Sequence, residues 1–159
     1  MVVIRQYLDD DLHEVVSLWY RSWNSAFPNL KHPQLFEEWK SRFQREYATQ
    51  GGTWVATTQE KILGFMVVSK VFSNEGVIDQ IFVDIDVQRK GIGTALINRA
   101  KQISPNGLKL RTLRQNLQAC RFYEKHGFIT GAKGINPINR QPNIEYYWMP
   151  SSDFLRPPR

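Results

Sequence analysis

The chain has 159 residues, enough for one domain that buries about two thirds of its unfolded surface, and its hydrophobic (42%) and charged (23%) fractions are ordinary for a globular protein. The single cysteine excludes an internal disulfide, no apolar run reaches the roughly 20 residues that span a bilayer, and the N-terminus lacks the regions of a signal peptide, so we expect a cytoplasmic protein with no membrane partner. The net charge of +6 favours anionic partners, but no stretch carries a nucleic-acid-binding motif, so we do not expect nucleic acid among them.

The first half of the chain predicts a strand, two helices and a hairpin. Val2 to Leu8 alternates loosely and predicts a strand, and a helix with an apolar stripe follows over Asp10 to Trp23. A second helix is expected to begin at Pro33 and to end at Gly51-Gly52. Strands over 53–58 and 62–71 then flank a turn at 59–61.

The second half alternates strands and helices, which is typical of crossover connections within a mixed sheet. After a turn at 74–76, we expect strands over 77–83, 108–113, 128–132 and 144–149, helices over 94–103 and 118–126, and a polar loop over 133–143. The order β-α-α-β-β-β-α-β-α-β-β predicts an α/β (α+β) fold, a single-domain mixed sheet of about seven strands with helices on both faces. Residues 1–150 would form this domain and 151–159 a C-terminal tail.

A basic, glycine-rich turn joins the strand that ends at Val83 to the helix that follows. Gly91 and Gly93 leave out Cβ atoms where a ligand would approach and permit unusual backbone angles, while Arg89 and Lys90 add positive charge. Free backbone N–H groups at the start of a helix favour a phosphate or pyrophosphate. The spacing is neither that of a P-loop nor that of the dinucleotide fingerprint, and a plain strand-to-helix turn is the alternative.

Two motifs in the second half of the chain resemble the GNAT superfamily of N-acetyltransferases. Gln88-x-x-Gly91-x-Gly93 is similar to that family's acetyl-CoA pyrophosphate loop, and the segment from Asn116 to Phe128 is similar to its following helix and Gly-Phe exit. The resemblance implies a sheet that splays between its fourth and fifth strands, with acetyl-CoA as the cosubstrate entering the splay. The cofactor-binding residues that it implies are Ile81, Phe82, Val83, Gln88, Arg89, Lys90, Gly91, Ile92, Gly93, Thr94 and Asn116.

The helix of the second motif carries two residues to which the resemblance gives roles. It implies that Asn116 contacts the cofactor arm and that Tyr123 protonates the leaving thiolate. Seven helical residues put them on one face and about 10 Å apart along the axis, roughly the span of a pantetheine arm. The alternatives are a helix N-cap for Asn116 and a buried core ring for Tyr123.

Transfer of an acetyl group to an amine also calls for a base, because the amine must be neutral when it attacks the thioester. Asp79 is the leading candidate, since it interrupts an apolar strand where a charge is costly without a role or a partner. It lies four residues before Val83, where several GNAT enzymes place an acidic base. Glu145, at the start of the last strand, is the second candidate. An exposed, non-catalytic carboxylate is the alternative for each.

The resemblance places Trp19, Trp23 and Phe27 over the acceptor, although aromatic residues at helical spacing are also typical of a core. A small-molecule primary amine is the favoured acceptor and a protein or peptide amine the alternative. A non-catalytic acyl-CoA-binding regulatory module is the alternative from another class, and RNA-directed transfer rests on the basic charge alone. The histidines and the cysteine lack metal-ligand spacing, so we predict no metal, and a homodimer stays open.

Overall fold

A computed structural model describes residues 1–59, 61–71 and 74–150. Within these residues the chain forms seven strands and four α-helices in the predicted order. The strands are β1 (Val3–Gln6), β2 (Thr53–Thr58), β3 (Lys61–Lys70), β4 (Glu75–Val83), β5 (Gly107–Leu113), β6 (Ile129–Ile135) and β7 (Pro142–Trp148). The helices are α1 (Leu12–Ala26), α2 (Phe36–Glu46), α3 (Ile92–Ile103) and α4 (Leu117–Lys125).

The strands form one mixed sheet in the order β1-β2-β3-β4-β5-β7-β6. Only β4 and β5 pair in parallel, and every other neighbouring pair is antiparallel. The parallel pair follows from the crossover through α3, which returns the chain to the edge where β4 began. The predicted fold class and element order are therefore confirmed.

Each face of the sheet has its own core. Helices α1 and α2 cover one face with a mainly aromatic cluster in which Trp19, Trp39 and Phe43 are almost completely buried. Helices α3 and α4 cover the other face with a more aliphatic cluster around Leu96 and Ile97. Burial of large apolar side chains on both faces supplies the main driving force for this three-layer arrangement.

Several boundaries differ from those expected. Helix α1 runs past Trp23, and α2 begins at Phe36 rather than at Pro33 because the chain is still extended at Leu35. The expected turn at 74–76 is shorter, since its last two residues belong to β4, where they pair with β5. The polar loop expected over 133–143 is also shorter, because cross-strand pairing with β7 extends β6 to Ile135.

The predicted tail, 151–159, lies outside the described residues, as does one residue of the turn expected at 59–61. The division into a domain and a tail therefore stays a prediction. Among the described residues, no helix has the length and apolar character that a membrane crossing requires.

Candidate active site

The sheet opens at a β-bulge centred on Asp79. Val67 of β3 pairs with Gln80 and Val68 pairs with Ile78, so Asp79 is the extra residue of β4. Strands β4 and β5 pair only from Glu75–Gly107 to Ile78–Leu110, and their pairing ends where the bulge begins. Because a bulge bends its strand and increases the local twist, it directs the second half of β4 away from β5.

The separated strands form the walls of a cleft of about 1170 Å³. The rest of the lining comes from the end of α1, the turn after β4, the first turn of α3, helix α4, the loop between β6 and β7, and strand β7. This volume exceeds that of most single small-molecule pockets, which measure about 300–1000 Å³. The cleft therefore has room for a long ligand and a second, shorter one.

A buried carboxylate shapes the turn after β4. Asp84 accepts a hydrogen bond from the Asp86 N–H at 3.0 Å, which closes a single 3₁₀ turn over Ile85–Val87. Its other oxygen accepts from the Arg21 guanidinium at 2.7 Å. Arg21 belongs to α1, so this ion pair ties the turn to that helix.

Helix α3 starts with its free N–H groups at the cleft. Its first internal hydrogen bond joins the Ala95 N–H to the Gly91 carbonyl, which leaves the N–H groups of residues 92–94 without partners inside the helix. Gly91 has φ of +82°, a left-handed conformation that disfavours any side chain. These donors and the positive end of the helix dipole make this turn suited to an anion.

Gly93 has a different role from Gly91. A Cβ built at Gly93 would lie 3.1 Å from the Phe122 ring, so this glycine lets α3 and α4 pack closely. Gly93 does not use the backbone freedom that a glycine permits, because it has no positive φ. Thr94 also joins the two helices, because its hydroxyl lies 3.2 Å from Nε2 of His126.

The other residues expected to bind the cofactor are divided between the cleft and its surroundings. Gln88 lines the cleft, and its amide donates to the Val83 carbonyl at 3.2 Å, bracing the turn. Lys90 is exposed and lies outside the cleft lining. The Ile92 side chain is buried in the core, so Ile92 can contribute only its backbone N–H to the anion site. The lining includes Ile81, Phe82, Val83, Arg89, Gly91, Gly93 and Thr94.

Asn116 and Tyr123 both line the cleft. Asn116 is the N-cap of α4, and its Oδ1 accepts a hydrogen bond from the Ala119 N–H at 3.2 Å. This agrees with the N-cap that the sequence analysis gave as the alternative for Asn116. Tyr123 is 6% exposed and packs against Phe128 and Tyr146. The capping bond uses the oxygen of Asn116 and leaves its NH₂ group available to a ligand.

The Tyr123 hydroxyl can donate a hydrogen bond into the cleft. Burial, with a smaller contribution from nearby Cys120, raises the pKa of the Tyr123 phenol above its ordinary value, so it keeps its proton at neutral pH. Within the described part of the chain, no group makes a hydrogen bond to it. A buried phenol at a cleft wall can therefore donate to a ligand without first breaking another hydrogen bond.

Asp79 of β4 also lines the cleft. It accepts a hydrogen bond from the Ser69 hydroxyl of β3. Partial loss of hydration raises the pKa of Asp79, the Ser69 hydrogen bond opposes that shift, and the negative charge of Glu46 at the end of α2 adds to it. A carboxylate with a raised pKa is a better proton acceptor than an ordinary aspartate.

Glu145 also lines the cleft but is already paired. It lies in the middle of β7 rather than at the start of the last strand, opposite Arg111 of β5, whose guanidinium is 3.6 Å from its carboxylate. This cation offsets part of the negative charge of Glu145. Asp79 is thus better placed to accept a proton.

The three aromatic residues expected at the acceptor separate into two groups. Trp23 and Phe27 line the cleft near the end of α1. Trp19 is instead 2% exposed, outside the cleft lining, with its ring 4.5 Å from that of Trp39. Its position agrees with the core interpretation that helical spacing also allowed.

Sequence reasoning missed Arg21, Asp84, Ser69 and His126. The Asp-x-Asp spacing at Asp84 is a recognisable signal for an aspartate-capped turn. The partners of the other three come from distant parts of the chain and have no local signal. Across 1–59, 61–71 and 74–150, no three metal-binding side chains are grouped as a metal site would require.

Comparison with known proteins places this geometry in context. Residues 12–128 match the sequence profile of the acetyltransferase (GNAT) family. The peptidyl-lysine N-acetyltransferase YjaB of Salmonella typhimurium is 28% identical over 142 residues, which cover 88% of this chain and 92% of YjaB.

Solved structures show the same fold. The solution structure of apo YjaB from Escherichia coli superposes with a TM-score of 0.74 at 24% identity and covers 93% of this chain and 97% of its own. The PaiA N-acetyltransferase of Thermoplasma acidophilum, crystallised with coenzyme A, gives 0.72 at 18% identity, with 94% and 99% covered. At these sequence identities, the structural similarity supports the fold and not the function.

Proposed function

Because the chain belongs to the GNAT family of acetyltransferases, we propose that it moves an acetyl group from acetyl-CoA to a primary amine by direct attack in a ternary complex. The observation that carries the proposal is the cleft opened by the bulge at Asp79. This cleft has the N-terminus of α3 at one end and the Asp79 carboxylate at the other. A plain strand-to-helix turn at Gly91, with no cleft beside it, would not support this proposal.

Acetyl-CoA is the proposed cosubstrate because the cleft suits a long, anionic ligand. The first-turn N–H groups of α3 and the nearby Arg89 and Arg121 favour the pyrophosphate. Backbone groups of β4 that have lost β5 as a neighbour suit the amides of a pantetheine arm, which would bind like an added strand. The coenzyme A complex of PaiA is consistent with this choice.

Asp79 is the proposed base. It takes the proton that the amine must lose as its nitrogen bonds to the thioester carbonyl carbon, directly or through a water molecule. The exposed position of Asp79 allows the proton to pass to solvent. Glu145 would bind and orient the acceptor together with Arg111, rather than accept the proton.

Tyr123 is the proposed acid. As the carbon–sulfur bond breaks, its hydroxyl donates a hydrogen bond to the departing sulfur. The pKa of the Tyr123 phenol is raised and lies above that of a free thiol, so Tyr123 stabilises the thiolate mainly by hydrogen bonding, and full proton transfer is uphill. Asn116 would hold the cofactor arm at the other end of the same helix.

The acceptor is proposed as a primary amine, either on a small molecule or on a lysine side chain of a peptide. The name of the relative YjaB favours the second class, and the size of the cleft allows both. Release of free thiol from acetyl-CoA, measured across both classes of amine, tests the proposal. Cofactor binding without thiol release for any amine would favour a non-catalytic binding module instead.

We expect Asp79→Asn to lower kcat near pH 7 by about 10²-fold, the lower end for general acid–base catalysis, because water can partly replace an exposed base. The deficit should shrink at high pH, where the amine is already neutral. A pH series of kcat with saturating acetyl-CoA measures both effects.

Glu145→Gln is the matched comparison for Asp79→Asn, since it neutralises the other carboxylate of the cleft. We expect its kcat to keep the wild-type pH dependence. An unaltered pH–rate profile in Asp79→Asn would instead move the role of base to Glu145 or to solvent.

Two neighbours of Asp79 should move the acidic limb of that profile in opposite directions. The hydrogen bond from Ser69 lowers the pKa of Asp79, so Ser69→Ala should shift the loss of activity to higher pH. The charge of Glu46 raises that pKa, so Glu46→Gln should shift the loss to lower pH. Shifts in the same direction in both variants would contradict Asp79 as the titrating base.

A further inference from the structure

Strand β5 brings two cations to the acceptor end of the cleft. Lys109 and Arg111 are both exposed, line the cleft and, two residues apart on one strand, lie on one face of the sheet. Leu113, the next residue on that face, packs into the aromatic core under α1 and α2. The cations therefore face the side of the sheet where Trp23 and Phe27 border the cleft.

The two cations differ in what binds them. Arg111 donates to Oδ1 of the buried Asn143 at 3.0 Å and lies 3.6 Å from Glu145, so its charge is compensated and its position fixed. Lys109 has no ion pair or hydrogen bond with any of the residues that the structure describes. One uncompensated ammonium group thus faces the cleft from β5.

The Asp79 carboxylate lies on the neighbouring strand, β4. Lys109 is paired with Val77, and Asp79 follows two residues later on β4. Adjacent strands lie about 4.8 Å apart, so the two backbone positions are close. The two side chains nevertheless form no ion pair, and Asp79 is held by Ser69 instead. The cleft therefore presents the Asp79 carboxylate and the Lys109 ammonium group as two separate charges.

We propose that the acceptor is zwitterionic, an amine that carries a carboxylate or similar anion within a few ångströms, and that Lys109 is the residue that binds the anion. The inference rests on the proposed function, in which Asp79 receives the amine. An ammonium group alone would be repelled by Lys109, whereas an amine with a nearby anion matches both charges. A free amino acid and a peptide lysine beside an acidic residue share this chemistry.

The test compares acceptors that differ only in the anion, with thiol release from acetyl-CoA by the full chain as the readout. One pair is free lysine and lysinamide, and the other is an end-blocked Gly-Lys-Glu peptide and its Gly-Lys-Gln counterpart. The pair that shows the preference identifies the source of the anion. We expect the anionic member to have the higher kcat/KM by about tenfold, as a charge-assisted hydrogen bond supplies.

Variants of Lys109 assign the preference to this residue. In Lys109→Met the ratio within the preferred pair should fall to about one, and in Lys109→Glu it should invert. Lys133→Met is the control, because Lys133 is exposed on β6 outside the cleft lining, and it should keep the wild-type ratio. A wild-type ratio retained in Lys109→Met would overturn the inference.

The proposed function and this inference fail differently. Thiol release with equal kcat/KM for both members of both pairs would overturn the zwitterionic acceptor and leave the acetyltransferase proposal intact. No thiol release with any amine, in a protein that still binds acetyl-CoA, would overturn both.

Discussion

Tyr123→Phe should lower kcat by about 10²- to 10³-fold, the loss typical of removing one hydrogen-bond donor from the charge that develops in the transition state. The substitution removes one hydroxyl at the cleft wall and keeps the ring that packs against Phe128. Acetyl-CoA affinity should change far less, because the sulfur is one contact among many. Steady-state kinetics with calorimetric affinity measurements separate the two effects.

Tyr146→Phe is the matched control for this prediction. Tyr146 packs against Tyr123, but its hydroxyl donates to the Glu124 carboxylate at 2.7 Å and lies outside the cleft lining. Loss of this hydrogen bond to a charged group should cost about 1.5–3 kcal/mol of stability and leave kcat near the wild-type value. Wild-type turnover in Tyr123→Phe would show that the thiolate leaves without this donor, and a large drop in its melting temperature would support a structural role.

Gly93→Asp should abolish acetyl-CoA binding. Its Cβ would crowd the Phe122 ring at 3.1 Å, and its carboxylate would lie at the N-terminus of α3, where the pyrophosphate is proposed to bind. Two unit charges 4 Å apart repel by about 1 kcal/mol in water and about 4 kcal/mol near a protein surface. Isothermal calorimetry with acetyl-CoA measures the loss.

Gly93→Asn separates charge from crowding, because Asn has nearly the shape of Asp and meets the same Phe122 ring. We expect the Asp variant to bind about five- to several hundredfold more weakly than the Asn variant. Equal melting temperatures for the two variants would establish that the comparison concerns binding alone. Unchanged affinity in Gly93→Asp would rule out the α3 turn as the anion site.

The fold was largely predictable because its signals are local. The turn that marks the end of β2 and the apolar stripe of α1 depend on residues a few positions apart. Strand β2 forms within its expected bounds, and α1 forms within three residues of them. The loop between β6 and β7 was harder to predict. The polar segment 133–143 lacks periodicity and was expected to be all loop. Its two ends belong to β6 and β7 only because they pair with each other, as Gly134 does with Asn143.

The residues that line the cleft were predictable in type, and their geometry was less so. The Gly-x-Gly spacing predicted a permissive backbone, and Gly91 adopts the left-handed conformation, but the close approach of Gly93 to Phe122 depends on how two helices pack. Asp79 stood out as a charge in an apolar strand. Its position in a bulge depends on the register with β3, which no single segment of sequence encodes.

The ion pair between Arg21 and Asp84 has a consequence for how the two substrates bind. Asp84 shapes the turn beside the proposed cofactor site, while the helix that carries Arg21 also brings Trp23 to the proposed acceptor site. A ligand that moves either partner therefore acts on both binding regions. Thermodynamic linkage makes this coupling reciprocal. If one substrate changes the affinity for the other by some factor, the second changes the affinity for the first by the same factor.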